Sequence, residues 1–128
     1  MSVKDQDTGL NMFGPFPEES DVVYSATLKD SSSNTITAVS SMKLTLYEKK
    51  SGIILNGRKE QNILNLSGGT FSDGSFTFNF DENDTKMISK RNLYEDHVAR
   101  FTYTYDSGTK TGRHAIVIKI QNVNVGVV

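Results

Sequence analysis

Five stretches of the chain alternate apolar and polar residues with period two. Over 22–30 the apolar set is Val22, Tyr24, Ala26 and Leu28, with Ser25, Thr27 and Lys29 between them. Met42, Leu44 and Leu46 alternate with Lys43, Thr45 and Tyr47, and Phe76, Phe78 and Phe80 with Ser75, Thr77 and Asn79. Ala99, Phe101, Tyr103 and Tyr105 alternate with Arg100, Thr102 and Thr104, and Ile116, Ile118 and Ile120 with Val117 and Lys119. Successive side chains of a strand point to opposite faces, so this pattern predicts half-buried antiparallel strands.

Turn residues separate these stretches. Lys49-Lys50-Ser51-Gly52 predicts a turn from the strand at 42–48 to a shorter one at 53–55, and Gly52 can take a positive φ at its end. Asp106-Ser107-Gly108, followed by Thr111-Gly112, predicts a hairpin between 98–105 and 114–120. A Ser-rich turn falls at 30–34, and Ser67-Gly68-Gly69 and Ser72-Asp73-Gly74 bracket one short strand around Phe71. Two segments break the pattern. Residues 58–66 carry Ile63, Leu64 and Leu66 behind a charged start and suit one or two helical turns. Residues 81–90 place Met87 and Ile88 behind Asp81-Glu82-Asn83-Asp84, which suits a crossing between sheets with one capped turn.

The fold class expected is all-β: an Ig-like antiparallel β-sandwich of about seven strands with an extended N-terminal arm. A jelly roll or small barrel is the alternative. The expected division is an arm at 1–21 and a sandwich domain at 22–128. The arm contains Gly14, Pro15 and Pro17, which confine it to extended or turn conformations. It also carries Leu10, Met12, Phe13 and Phe16. It reads either as a flexible tail or as an arm that buries these four side chains on a neighbouring subunit, which makes them the candidate partner-binding residues. Residues 121–128 read as strand overhang or a second docking segment.

Composition narrows the chemistry. The 128 residues hold 14 Lys and Arg against 15 Asp and Glu, a formal net charge of −1. A dedicated nucleic-acid binder usually carries a strong basic excess, so no specific nucleic acid is expected as a partner. Cysteine is absent, which excludes disulfides, thiolate metal sites and cysteine nucleophiles. Without cysteine and tryptophan the antibody-type core of a Trp packed on a Cys pair is excluded too. The first nine residues are polar, and the strongest apolar run, 115–120, is far short of the ~20 residues a membrane helix needs. The expectation is a soluble protein with no membrane partner, made in a cytoplasm. Asn65-Leu66-Ser67 and Asn83-Asp84-Thr85 match the glycosylation triplet, but with no leader in view they read as chance matches.

Candidate catalytic groups are few. His97 follows Glu95 and Asp96, but neighbouring strand side chains diverge, so Asp96 and His97 do not converge on a metal. His97 and His114 are both expected to be structural. The acidic run 81–84 lacks the spacing of a calcium loop and reads as a solvated crossing. No nucleophile elbow and no phosphate-cradling loop is present, so no catalytic, cofactor or metal residue is assigned. Lys110 and Arg113 at a hairpin tip are a possible contact for an acidic partner, and more simply a solubilising turn.

Several runs resemble small all-β, Ig-like virion structural proteins of tailed bacteriophages. They are Tyr24-Ser25-Ala26-Thr27-Leu28-Lys29-Asp30, then Leu44-Thr45-Leu46-Tyr47 with Ser51-Gly52 and Ile54-Leu55-Asn56-Gly57-Arg58. Gln61-Asn62-Ile63-Leu64-Asn65 with Gly68-Gly69-Thr70 is similar as well. So is Glu95-Asp96-His97-Val98-Ala99-Arg100-Phe101, leading through Gly112-Arg113-His114 to Ile118-Lys119-Ile120-Gln121-Asn122-Val123. The resemblance covers about 22–123 and rests on structural motifs. It implies a non-enzymatic virion component, at the head shell as a decoration or cement protein or at the head–tail joint. It would be present in many copies and in contact with capsid or portal and neck subunits. A cell-surface or carbohydrate-binding module is the alternative, with tyrosines as stacking faces.

Overall fold

The computed structural model describes residues 3–123. The residues beyond Val123 of the expected docking segment lie outside the described residues. Among the described residues nine strands form two packed sheets and no helix is present. The strands are β1 (Val3–Lys4), β2 (Asn11–Pro17), β3 (Val22–Thr27), β4 (Ser41–Glu48), β5 (Gln61–Asn62), β6 (Gly69–Ser72), β7 (Ser75–Phe80), β8 (Tyr94–Tyr105) and β9 (Lys110–Gln121). The larger sheet has the order β1-β2-β9-β8-β4-β5 and the smaller one β3-β7-β6. The chain is therefore an all-β sandwich, as the alternation predicts.

The period-two residues make the core. Met42, Leu44 and Leu46 on β4, Ala99, Phe101 and Tyr103 on β8, and Ile116, Ile118 and Ile120 on β9 face Phe76, Phe78 and Phe80 on β7. The aromatic rings interlock edge to face: Phe101 meets Phe76 at 5.1 Å and Phe78 at 5.8 Å. Such pairs add about 0.5–1.5 kcal/mol each beyond the area they bury. The turns expected near 30–34, 49–52, 67–69 and 72–74 are present, with Gly52 at φ 74°. The β8–β9 hairpin, however, turns over 106–109, and Thr111 and Gly112 already lie within β9.

The N-terminal segment is where the structure departs from the reading of 1–21 as an arm separate from a domain at 22–128. Asn11–Pro17 is a strand of the larger sheet, parallel to β9, with β1 antiparallel on its outer side. The prolines obscured it, because Pro lacks the N–H of a ladder and suits only an edge or an irregular register. The register with β9 shifts between Phe13 and Phe16, where Gly14 sits at φ 113°. A Cβ at Gly14 would lie 2.5 Å from the Lys119 carbonyl oxygen, so only glycine fits there. Residues 58–66 form no helical turn either: they lay the short strand β5 against β4.

Candidate functional site

One end of the sandwich gathers most of the buried polar groups. The crossing from β7 to β8 carries Asp84, and the loop after β4 carries Arg58. Arg58 clasps Asp84 through Nε and, at 3.0 Å, through Nη2. Its Nη1 donates to Gln61 Oε1 at 2.7 Å and to the Ser67 carbonyl at 3.0 Å, while the guanidinium lies 5.0 Å over the Phe78 ring. The Asp84 carboxylate also accepts from Asn56 Nδ2 at 2.9 Å and from the Asp81 N–H at 2.8 Å. Both charged groups are buried, so the acidic run is a solvated loop only in part. The pair joins the two layers of the sandwich.

His97 continues the network. Its Nδ1 lies 2.9 Å from the Asp84 carbonyl oxygen, and since a carbonyl only accepts, Nδ1 carries a proton. Its Nε2 lies 2.7 Å from Glu95 Oε1. Glu95 also accepts the N–H groups of Ile88 and Ser89, at 2.9 and 3.1 Å. Thus His97 is fully buried and hydrogen-bonded within the chain, and Asp96 points to the other face. What the sequence reading missed is that Glu95 and His97, two apart on one strand, share the inward face. Glu48, opposite His97, folds onto the Lys50 and Ser51 N–H groups at 2.9 and 3.0 Å. Burial pushes its carboxyl up, but these N–H donors outweigh that and hold it below the usual range.

Above this network opens a cleft of about 260 Å³ lined by Ile53, Ile88, Tyr94, Lys50, Asp96 and Lys119, among others. Ile53 is 50% exposed, Ile88 44% and Tyr94 43%. Leu93 and Val123 are exposed on the same end, tied together by the Asn122 N–H bond to the Leu93 carbonyl. The polar rim is charged in both signs. Lys119 sits 3.2 Å from Asp96 and 5.1 Å over the Tyr94 ring. Lys49 bonds Asp5 at 2.9 Å and Asp7 at 3.0 Å, which fixes the β1–β2 turn beside the cleft. The Asp5 hydrogen bond holds the Lys49 ammonium above its usual pKa. The Thr8 hydroxyl, then Lys49, hold the Asp5 carboxyl below its own.

The expected partner-binding residues do not lie together. Phe13 and Phe16, level with Ile118 and Ile120, pack on the chain's own core, and Phe13 meets the Tyr24 ring at 5.5 Å. Met12 pairs with Val3 and Val117 on the opposite face, and Leu10 closes the β1–β2 turn through its carbonyl to the Asp5 N–H. All four are partly buried in this chain. His114 stacks on Tyr24 and contacts its hydroxyl, joining β9 to β3. Burial lowers the His114 pKa and raises that of Tyr24.

At the other end, a wider cleft of about 460 Å³ runs between residues 35–40 and the β8–β9 turn, with Asp30 and Asp106 on its wall. The cationic tip there is partly neutralised, because Lys110 pairs with Asp106 at 3.0 Å. Among the described residues Tyr94 is the most exposed aromatic side chain, and the others are half-buried or buried. Among the described residues no group of three His, Asp or Glu side chains is placed to hold a metal ion. No helix is long and apolar enough to cross a membrane, among the described residues. Compared with protein-family models, with curated proteins and with solved structures, the chain matches none.

Proposed function

We propose that the chain is a non-enzymatic assembly protein of a tailed-phage particle, a head decoration or head–tail joining component that acts through contacts with neighbouring subunits. The observation that carries this reading is the cleft beside Tyr94. Ile53, Ile88 and Tyr94 present apolar surface to solvent inside a rim of paired charges. Contiguous exposed apolar surface with a polar rim is the usual mark of a protein contact. Glu95 on the cleft wall is fixed by His97 and by the Ile88 and Ser89 N–H groups, so docking there orders few new groups. The sequence resemblance supplies the virion setting. The strand order β9-β8-β4-β5 over β3-β7-β6 supports an immunoglobulin-like assignment, since it matches the G-F-C-C′ and B-E-D sheets of that class.

The test is a quantitative mass-spectrometric inventory of particles purified from the phage that encodes the chain. The reading expects the protein in many copies per particle. It also expects Ile53→Glu with Ile88→Glu to leave a folded, soluble protein that is depleted from particles. A chain missing from purified particles, or a double variant incorporated at wild-type level, overturns it.

A further inference from the structure

We propose that two copies of the chain pair through β3, edge to edge and antiparallel, joining their smaller sheets into one continuous sheet. This pairing is independent of the cleft. β3 is a terminal strand of its sheet, bonded to β7 alone. The Leu28 N–H bonds the Gly74 carbonyl and the Leu28 carbonyl accepts from Ile36, so the backbone groups of Val22, Tyr24, Ala26 and Leu28 face inward along the sheet. Those of Val23, Ser25 and Thr27 face outward, and among the described residues no backbone group meets them there. The Lys29–Thr35 bridge has the same parity, with Lys29 turned to the open side.

Exposed edges are ordinarily blunted by charge, proline, a bulge or brevity. The other edges here follow that rule. β1 and β5 have two residues each, and the Phe71 N–H on β6 is occupied by Asn65 Oδ1 at 2.8 Å. β3 has none of these devices: its six residues, Val-Val-Tyr-Ser-Ala-Thr, are uncharged, free of proline and in unbroken register with β7.

Charge complementarity selects a second copy as the occupant and sets the register. Asp21, Val23, Ser25, Thr27 and Lys29 are all exposed and alternate along one face. Neither Asp21 nor Lys29 has an ion-pair partner among the described residues. Setting Ser25 opposite the same residue of the second copy places Val23 opposite Thr27 and Asp21 opposite Lys29, each twice by symmetry. Outward backbone groups then oppose outward groups, giving about six hydrogen bonds between copies. On the inner face Tyr24 meets Ala26 and Val22 meets Leu28, so the apolar layer continues across the junction. A slip of two residues keeps the bonding but loses both ion pairs. Because the pairing is two-fold, it closes at a dimer and does not propagate.

Sedimentation equilibrium of the full chain tests this, with circular dichroism to establish that each variant is folded. The wild type should show a monomer–dimer equilibrium. Ser25→Lys sets two ammonium groups across the two-fold axis and should raise the dissociation constant roughly tenfold or more. Asp21→Lys or Lys29→Asp alone should weaken the dimer, and the two together should restore it. A wild type that stays monomeric up to about 500 μM overturns the proposal, since even a weak specific contact is populated there. So does a dimer that Ser25→Lys and both single reversals leave unchanged. Dimerisation read this way is separate from particle incorporation, so either proposal can fail alone.

Discussion

Replacing Asp84 with alanine removes the acceptor of four hydrogen bonds and leaves the buried Arg58 guanidinium facing only the half-exposed Asp81 carboxylate, 3.7 Å away. Arg58 Nε and Nη2, Asn56 Nδ2 and the Asp81 N–H all converge on this carboxylate. Both partners are almost fully buried, so water cannot replace what is lost without opening the loop. Breaking a buried ion pair from one side costs about 3–5 kcal/mol, against a total stability of about 5–15 kcal/mol for a domain of this size. With a urea slope of about 2 kcal/mol/M, the unfolding midpoint should fall by about 1.5–2.5 M. Urea titration followed by circular dichroism reads this directly, since the chain has no tryptophan to report by fluorescence. Arg58→Met should cost a similar amount. The double variant Asp84→Leu with Arg58→Met should cost clearly less than the sum of the two single losses, because no charge is then stranded. A loss below about 1 kcal/mol for Asp84→Ala would refute the view that this pair joins the sheets.

Three further outcomes follow from single sites. Gly69→Ala drives a Cβ into the Ile63 carbonyl, backbone against backbone, and should lower the melting temperature by about 5–15 °C in a thermal scan. Burial lowers the His114 pKa, so the folded state favours the neutral ring and the unfolded chain binds the extra proton. Stability from this source is full above the ordinary histidine range and lost as pH falls through it toward the lowered value. Urea midpoints at pH 7.5 and 5.5 should differ less in His114→Gln than in the wild type. Asp5→Ala removes the contacts to Thr8 and Lys49 that fix the β1–β2 turn. Amide exchange over residues 3–10 should quicken by at least tenfold, with the β8–β9 amides unchanged.

The strands with one face in the core were legible because burial imposes period two. Phe76, Phe78 and Phe80 could be assigned to one face without any knowledge of what they meet. β2 was hidden, since Gly14, Pro15 and Pro17 contradict strand chemistry and are tolerated only at an irregular register beside β9. The burial of Asp84 was hidden for a different reason. An acidic run is solvated unless a cation reaches it, and Arg58 arrives from a loop on the other layer. The pairing of Glu95 with His97 was within reach, because residues two apart on a strand share a face. The cleft could not be read at all: Ile53, Ile88 and Tyr94 converge from a turn, a crossing and a strand end. β3 lies between these cases. Its alternation was plain, but its place at a sheet edge depends on the strand order.

Under the proposed function, the Tyr94 end of the sandwich is where this chain meets its neighbours in a phage particle. Lysine-reactive cross-linking of intact purified particles, read by mass spectrometry, tests it most directly. Lys50 lies on the cleft and Lys90 on the crossing beside it, and both are exposed. Cross-links from Lys50 and Lys90 to another virion protein are the expected result. Cross-links to other virion proteins confined to Lys59 and Lys110, with none from the cleft end, would contradict it.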